Sequence, residues 1–307
     1  MALRITNIDY VNDFSEFSYE HENFIFFHGE ALDIRGKSVI NLVECSTNSF
    51  SITFNPEKNI IIIDDEEIVH FKLKNFIESL NVENILIEST TLSVAEILLL
   101  LHAINLCAKE FEINIIYLEP EEYKIREDSK NMNEFDLSSH LEGFYNIRPY
   151  NLLIDSTNKE EFAEVIVLLG FEDNRLGQLL EDEEGQKYKS YVPLLGLPAF
   201  QPGWENISLS RNIRHFNNSF NKIECAGASN PYQTMKVIEK IYQNSSYKKV
   251  LIAAFGTKPA AIGASLFLVN NFKVEGNDVG IIYDFPKKNN NRTLGTGKVY
   301  QYTIYKN

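Results

Sequence analysis

The segment Phe255-Gly256-Thr257-Lys258-Pro259 has the spacing in this chain that most clearly suggests chemistry. A glycine, a capping threonine and a first-turn proline after an apolar run describe a helix that starts directly behind a strand. Its unsatisfied N–H groups and its dipole favour an anion there, and Lys258 adds a positive charge. A helix start that only packs Ala260, Ala261, Gly263 and Ala264 onto a sheet would use the same residues. Neither Gly-x-x-x-x-Gly-Lys-Ser/Thr nor Gly-x-Gly-x-x-Gly occurs, which speaks against ATP hydrolysis by a P-loop.

Four further segments carry candidate groups. Gly227-Ala228-Ser229-Asn230-Pro231 repeats the arrangement, with Asn230 as cap and no added charge. In Gly170-Phe171-Glu172-Asp173-Asn174-Arg175, Glu172 or Asp173 could hold a ribose hydroxyl or act as general base and Arg175 could meet an anion, or the acids could simply cap the next helix. Pro198 to Asn206 sets the single tryptophan, Trp204, in a proline-rich loop. Trp204 is there either a platform for a base or sugar or a buried plug, with Glu205 beside it as a second candidate base. Finally Lys287, Lys288, Arg292, Thr293, Gly295 and Gly297 form a basic loop in which Arg292 could clamp a phosphate, unless the loop is only a solvated hairpin.

The six histidines and three cysteines show no metal-ligand spacing, and no Ser/His/Asp or Cys/His arrangement stands out, so no metal is expected and the cofactor is left open. His102 falls on an apolar stripe and reads as a core residue. Cys45, Cys107 and Cys225 read as buried thiols of a reducing compartment. Glu88-Ser89-Thr90 and Glu119, each after a strand, could form a second site or a contact between domains.

The elements that must position these groups alternate. Early β-rich runs are Phe24 to Phe27, Ser38 to Val43 and Asn59 to Ile63. A helix over 71–80, a strand over 85–87, a helix over 94–109 and a strand over 113–118 follow, with Ser93 and Glu96 spaced for a capping box. Between 121 and 150 the pattern dissolves into charged residues, among them Glu121, Glu122, Lys124, Arg126, Glu127, Asp128 and Lys130. Beyond it, apolar runs at 165–169, 192–195, 223–226, 250–255 and 279–283 alternate with helical segments, which implies a parallel sheet. Gly170, Gly196, Gly227 and Gly256 stand at four of the strand ends, as turn residues or as places where a ligand reaches the backbone. Val299 to Tyr305 alternates as an antiparallel edge strand should.

The predicted fold is therefore α/β: a C-terminal doubly wound, mostly parallel Rossmann-like sheet (151–307), a linker (121–150) and a smaller N-terminal α/β domain rich in strands (1–120). Composition agrees with a folded chain, at 44% hydrophobic and 23% charged residues. A net charge of −14 opposes direct binding to nucleic acid or to an anionic membrane. With no apolar run long enough to span a bilayer and no signal-like opening, the expected location is the cytoplasm.

The strand of form apolar-Ala-Ala-Phe that runs into Gly256-Thr257-Lys258-Pro259 and a small-residue helix resembles the corresponding turn of CRISPR-associated Rossmann-fold domains. In that family the turn helps to bind nucleotide second messengers, often cyclic oligoadenylates. The resemblance implies nucleotide binding and a part in prokaryotic antiviral defence, although no winged helix or nuclease module follows. The leading expectation is a site for a nucleotide or other phosphate-bearing small molecule, formed by Gly170, Glu172, Arg175, Trp204, Gly227, Asn230, Gly256, Thr257, Lys258 and Arg292. Two alternatives stay open: an enzyme acting on a nucleotide or phosphorylated metabolite through Glu172 or Glu205, and a ligand-free interaction subunit that binds a protein partner or its own copy.

Overall fold

The computed structural model describes residues 2–19, 21, 23–126, 134–154, 162–181 and 188–306. The chain divides into two units. Unit 1 comprises Met1–His140 and Pro286–Asn307, and unit 2 comprises Leu141–Phe285. No helix among the described residues is long and apolar enough to cross a membrane.

In unit 1 the order is β1 (Leu3–Val11), β2 (Phe24–His28), α1 (Ile34–Ile40), β3 (Asn48–Asn55), β4 (Ile60–Ile63), β5 (Glu66–Val69), α2 (His70–Ser79), β6 (Asn84–Glu88), α3 (Val94–Leu106), β7 (Glu112–Leu118), β8 (Glu122–Tyr123) and β9 (Ser138–Leu141). Unit 2 follows with β10 (Ala163–Leu168), α4 (Asp173–Glu181), β11 (Tyr188–Gly196), α5 (Trp204–Asn212), β12 (Glu224–Ala226), α6 (Pro231–Asn244), β13 (Lys249–Ala254), α7 (Lys258–Asn271) and β14 (Val279–Ile282). The chain then returns to unit 1 through β15 (Pro286–Lys288), β16 (Thr293–Leu294) and β17 (Val299–Lys306).

Unit 1 carries a mixed sheet in the order β1-β17-β7-β6-β2-β3-β4-β5. Its four central strands, β7, β6, β2 and β3, are parallel. Helix α3 is buried on all sides from Val94 to Ile104, which is why its sequence is apolar all round rather than striped. The Glu96 carboxylate accepts from the Ser93 amide and, at 2.8 Å, from the Phe54 amide, so a helix start also anchors β3. The turn between β4 and β5 is made by Asp64 and Asp65, both at positive φ, as a tight hairpin requires.

Unit 2 is built on an all-parallel sheet in the order β12-β11-β10-β13-β14. Every residue of the central strand β10 is buried, as expected of a strand covered on both faces. Its core includes Val165, Val167, Leu176, Leu179, Leu195 and Leu251. Helix α7 lies against α6, and a Cβ on Gly263 would land on the Pro231 carbonyl oxygen, so this glycine sets how closely the two helices approach.

The structure corrects several expectations. The C-terminal strand β17 is antiparallel, but it lies between β1 and β7 in the sheet of unit 1 and at no edge. Alternation marks one half-buried face and is silent about which sheet or position a strand takes; here Tyr302 and Ile304 are buried while Gln301 and Thr303 both reach Asn114 Oδ1 at 2.9 Å. With this segment added, unit 1 is not the smaller of the two. Ser38 to Val43 belongs to α1 and a following 3-10 turn, because Asp33 accepts from the Gly36 amide at 3.1 Å and opens a helix that overrides the β-branched residues. Within the expected linker, Tyr150 is fully buried in unit 2 against Phe272, whereas residues 127–133, including Glu127, Asp128 and Lys130, lie outside the described residues. Of the cysteines only Cys107 is buried; Cys45 and Cys225 are exposed.

Candidate functional site

The helix starts predicted from sequence form as side-chain caps. Asn230 Oδ1 accepts from the Gln233 amide at 3.0 Å, with Pro231 opening α6. Thr257 Oγ1 accepts from the Ala260 amide at 3.4 Å, with Lys258 and Pro259 opening α7. Thr257 Oγ1 also donates to the Ala228 carbonyl at 2.8 Å, which ties the turn after β13 to the turn after β12. Both helix N-termini therefore meet at the carboxyl edge of the sheet. Between them runs a cleft walled by Leu168, Gly196, Ala226, Ala228, Gly256 and Thr257. Only about 10 Å³ of it admits a water-sized sphere, which is room for about one water. A phosphate group is too large to enter it. Lys258, the first residue of α7, is half-buried.

The strand-end glycines are used for close packing. A Cβ on Gly170 would land on the Phe255 carbonyl oxygen, and one on Gly256 would stand 3.1 Å from Leu168 Cβ, so the turns after β10 and β13 press together. Gly196 packs in the same way on Ala228, with 3.1 Å between the two Cβ positions. At Gly227 the nearest group is the movable Gln233 Oε1, which accepts from the Gly227 amide at 2.9 Å.

Arg175 is held in a buried ion pair. Its Nε donates to Asp284 Oδ2 at 2.8 Å, its Nη2 donates to Oδ1, and its guanidinium stacks 4.7 Å from the centre of the Phe255 ring. Burial disfavours its charge, but Asp284 outweighs burial and holds the pKa above the usual arginine value. The pair bolts α4 to the end of β14.

Asp173 is likewise engaged. Its buried carboxylate accepts from Arg211 Nη2 at 2.8 Å and meets His215 Nε2 at 3.0 Å, with Arg214 as a third partner. Burial would raise this carboxyl, yet His215, Arg211 and Arg214 together keep it below the usual aspartate range. The turn is fixed further by α5, whose Ser208 Oγ and Asn212 Nδ2 donate to the Gly170 carbonyl at 3.0 and 2.8 Å. Arg211, Arg214 and His215 were not singled out from sequence. The only local signal is an Arg-x-x-Arg-His run at a helix end, which reads equally well as a complement to the helix dipole.

Trp204 is half-buried at the first position of α5, edge-on to Phe171 with 5.7 Å between ring centres. Glu205 accepts from the Gly203 amide at 3.1 Å, a capping role, while Glu172 is half-buried beside Arg175. Arg292 belongs to unit 1, where its near carboxylate is Asp33 at 3.5 Å. The chain has by then returned to the sheet of unit 1. Among the described residues no group of three His, Cys, Asp or Glu side chains is placed to hold a metal ion. His102 is buried in α3, and burial, with His70 adding to it, lowers its pKa to about 4. No family model matches the chain, and no curated protein matches it either.

Proposed function

We propose that unit 2 is a Rossmann-like domain that binds a nucleotide, or another small molecule bearing a phosphate, at the carboxyl edge of its parallel sheet. The observation that carries this reading is the 2.8 Å hydrogen bond from Thr257 to the Ala228 carbonyl, which brings two proline-started, side-chain-capped helix N-termini to the mouth of one cleft. The positive ends of two helix dipoles then converge near the space a phosphate would fill, with Lys258 as the first residue of α7. Strand order favours the same place. Counted within the unit, the strands run 3-2-1-4-5, with α4 packed on α5 and α6 on α7, and open sheets of this kind bind ligands outside their carboxyl ends. The resemblance of the Gly256 to Pro259 turn to CRISPR-associated Rossmann-fold domains supports a nucleotide second messenger as ligand and a sensing role in prokaryotic antiviral defence.

Binding is favoured over turnover, because Glu205 is engaged in capping and Asp173 in its cationic cluster, which leaves Glu172 as the candidate base. The test is to purify the full chain, release and identify any nucleotide that travels with it, and then incubate it with a panel that includes mononucleotides, dinucleotides and cyclic oligoadenylates. Retention without chemical change supports the proposal. Conversion of a panel member would make the protein an enzyme instead, and neither retention nor conversion would overturn both readings in favour of an interaction subunit.

A further inference from the structure

Unit 1 gathers two guanidiniums, those of Arg35 and Arg292, around the Asp33 carboxylate, with the half-buried Lys288 as a third cation of the unit. Arg35, in α1, is fully provided for: Nη2 donates to Asp33 Oδ2 at 2.9 Å, Nη1 to the Leu118 carbonyl at 3.2 Å and Nε to Thr293 Oγ1 at 3.3 Å. Thr293 in turn donates to Asp33 Oδ2 at 3.0 Å. Burial pushes the Asp33 carboxyl up, but Arg35, the Gly36 amide and Arg292 together bring it down to about 2, so it is ionised throughout the working range of a protein.

Arg292, the next residue in the chain to Thr293, is differently placed. Its side chain is only 16% exposed, its Nε is buried without a hydrogen-bond partner, and its ion pair is with the same Asp33 oxygen at 3.5 Å. Lys288 directs its ammonium at two carbonyls, those of Thr91 at 2.7 Å and Leu92 at 3.3 Å. The groups feel one another. Burial and then Arg35 lower the Arg292 pKa, while burial and then Arg292 bring Lys288 down to about 8 against the pull of Glu96 and Glu88. Glu88 is itself engaged, accepting from the Thr90 and Thr91 amides at 2.6 and 2.9 Å.

Two guanidiniums thus share one carboxylate, and Arg292 holds its half of that pair through a buried Nε with no hydrogen bond, which leaves its charge only partly balanced. A guanidinium fork matches two oxygens of a phosphate, and an ammonium serves as a point charge beside it. We infer that Arg292 and Lys288 form an oxyanion site in unit 1 for a phosphate-type group, made wholly of residues of that unit and independent of the reading given for unit 2. Free phosphate and the phosphate of a larger molecule share this chemistry.

The test uses the full chain at constant ionic strength, with inorganic phosphate or adenosine monophosphate as probe and chloride as reference. Amide hydrogen exchange read by mass spectrometry reports the two units separately. Phosphate should slow exchange saturably in peptides spanning 31–37 and 288–294, and Arg292→Lys, which keeps the charge and loses the fork, should weaken that protection by about 10-fold or more in concentration. Arg292→Met should abolish it and, without phosphate, should unfold no more readily than the natural chain. Tighter binding of the monophosphate than of phosphate would identify the source as a larger molecule, and equal binding would identify the free ion. The inference fails if neither probe protects these peptides beyond chloride, if protection survives in both variants, or if it falls only on peptides spanning 227–231 and 256–260, which would speak for the unit 2 site alone.

Discussion

Replacing Arg175 by methionine would leave Asp284, fully buried in unit 2, with no guanidinium to balance it. Loss of one partner from a buried ion pair costs about 3–5 kcal/mol. The stacking of Arg175 on Phe255 at 4.7 Å, and on Tyr283 at 5.5 Å, adds about 0.5–2 kcal/mol that a methionine only partly replaces. The expected cost of Arg175→Met is therefore about 4 kcal/mol or more, and Asp284→Leu should cost a similar amount by stranding the arginine. The double variant should lie close to the natural chain, because both charges leave together and the side chains entering are apolar. Urea unfolding followed by the fluorescence of Trp204 is the appropriate assay, since the chain's single tryptophan reports on unit 2 alone. A single-variant cost below about 1 kcal/mol, or a double variant as unstable as the sum of the singles, would refute the assignment of a structural pair. The double variant also separates structure from binding: nucleotide affinity should survive in it if Arg175 serves Asp284 alone, and should fall if Arg175 also meets the ligand.

Gly170→Ala should destabilise unit 2 by about 3 kcal/mol or more, since the new Cβ meets the Phe255 carbonyl oxygen, whereas Gly227→Ala meets only the flexible Gln233 amide and should stay within about 1 kcal/mol of the natural chain. Equal urea midpoints for the two would show that the turn after β10 is not closely packed. Folded His102 titrates at about 4, below the ordinary histidine value, so its neutral form stabilises unit 1 above about pH 6.5 and that contribution is lost as the pH falls toward 4. His102→Gln should therefore flatten the acid limb of a stability-against-pH curve, by up to about 3 kcal/mol; an unchanged limb would mean that the imidazole is not desolvated.

Much of the fold was legible because local signals and tertiary demands agree. Asn230-Pro231 and Thr257-Lys258-Pro259 specify helix starts by cap and ring geometry alone, and the apolar runs of unit 2 are continuous because its strands are covered on both faces. What stayed hidden depends on partners remote in sequence. Arg175 finds Asp284 across 109 positions, and Asp173 finds His215 across 42, so no window could show that these groups pair with each other. The strand-end glycines were legible as turns, whereas their close packing on neighbours such as Phe255 and Ala228 appears only once folding brings these near. Ser38 to Val43 misled because the strand preference of its side chains is weaker than a cap placed just upstream at Asp33.

The central claim, a phosphate held at the mouth of the cleft between α6 and α7, is tested most directly at Lys258 by equilibrium dialysis of the tightest-binding nucleotide against the natural chain and Lys258→Ala. Lys258 opens a helix whose dipole is positive at that end, a position that disfavours an ammonium by some tenths of a kcal/mol unless an anion sits beside it. A charge-assisted hydrogen bond to phosphate is worth roughly 1.5–3 kcal/mol, and its removal should weaken binding about 10- to 150-fold. The account predicts that loss in a variant that still folds without ligand. Unchanged affinity for every nucleotide that binds, or a variant that unfolds without ligand, would contradict it and leave Thr257 to Pro259 as a helix start and nothing more.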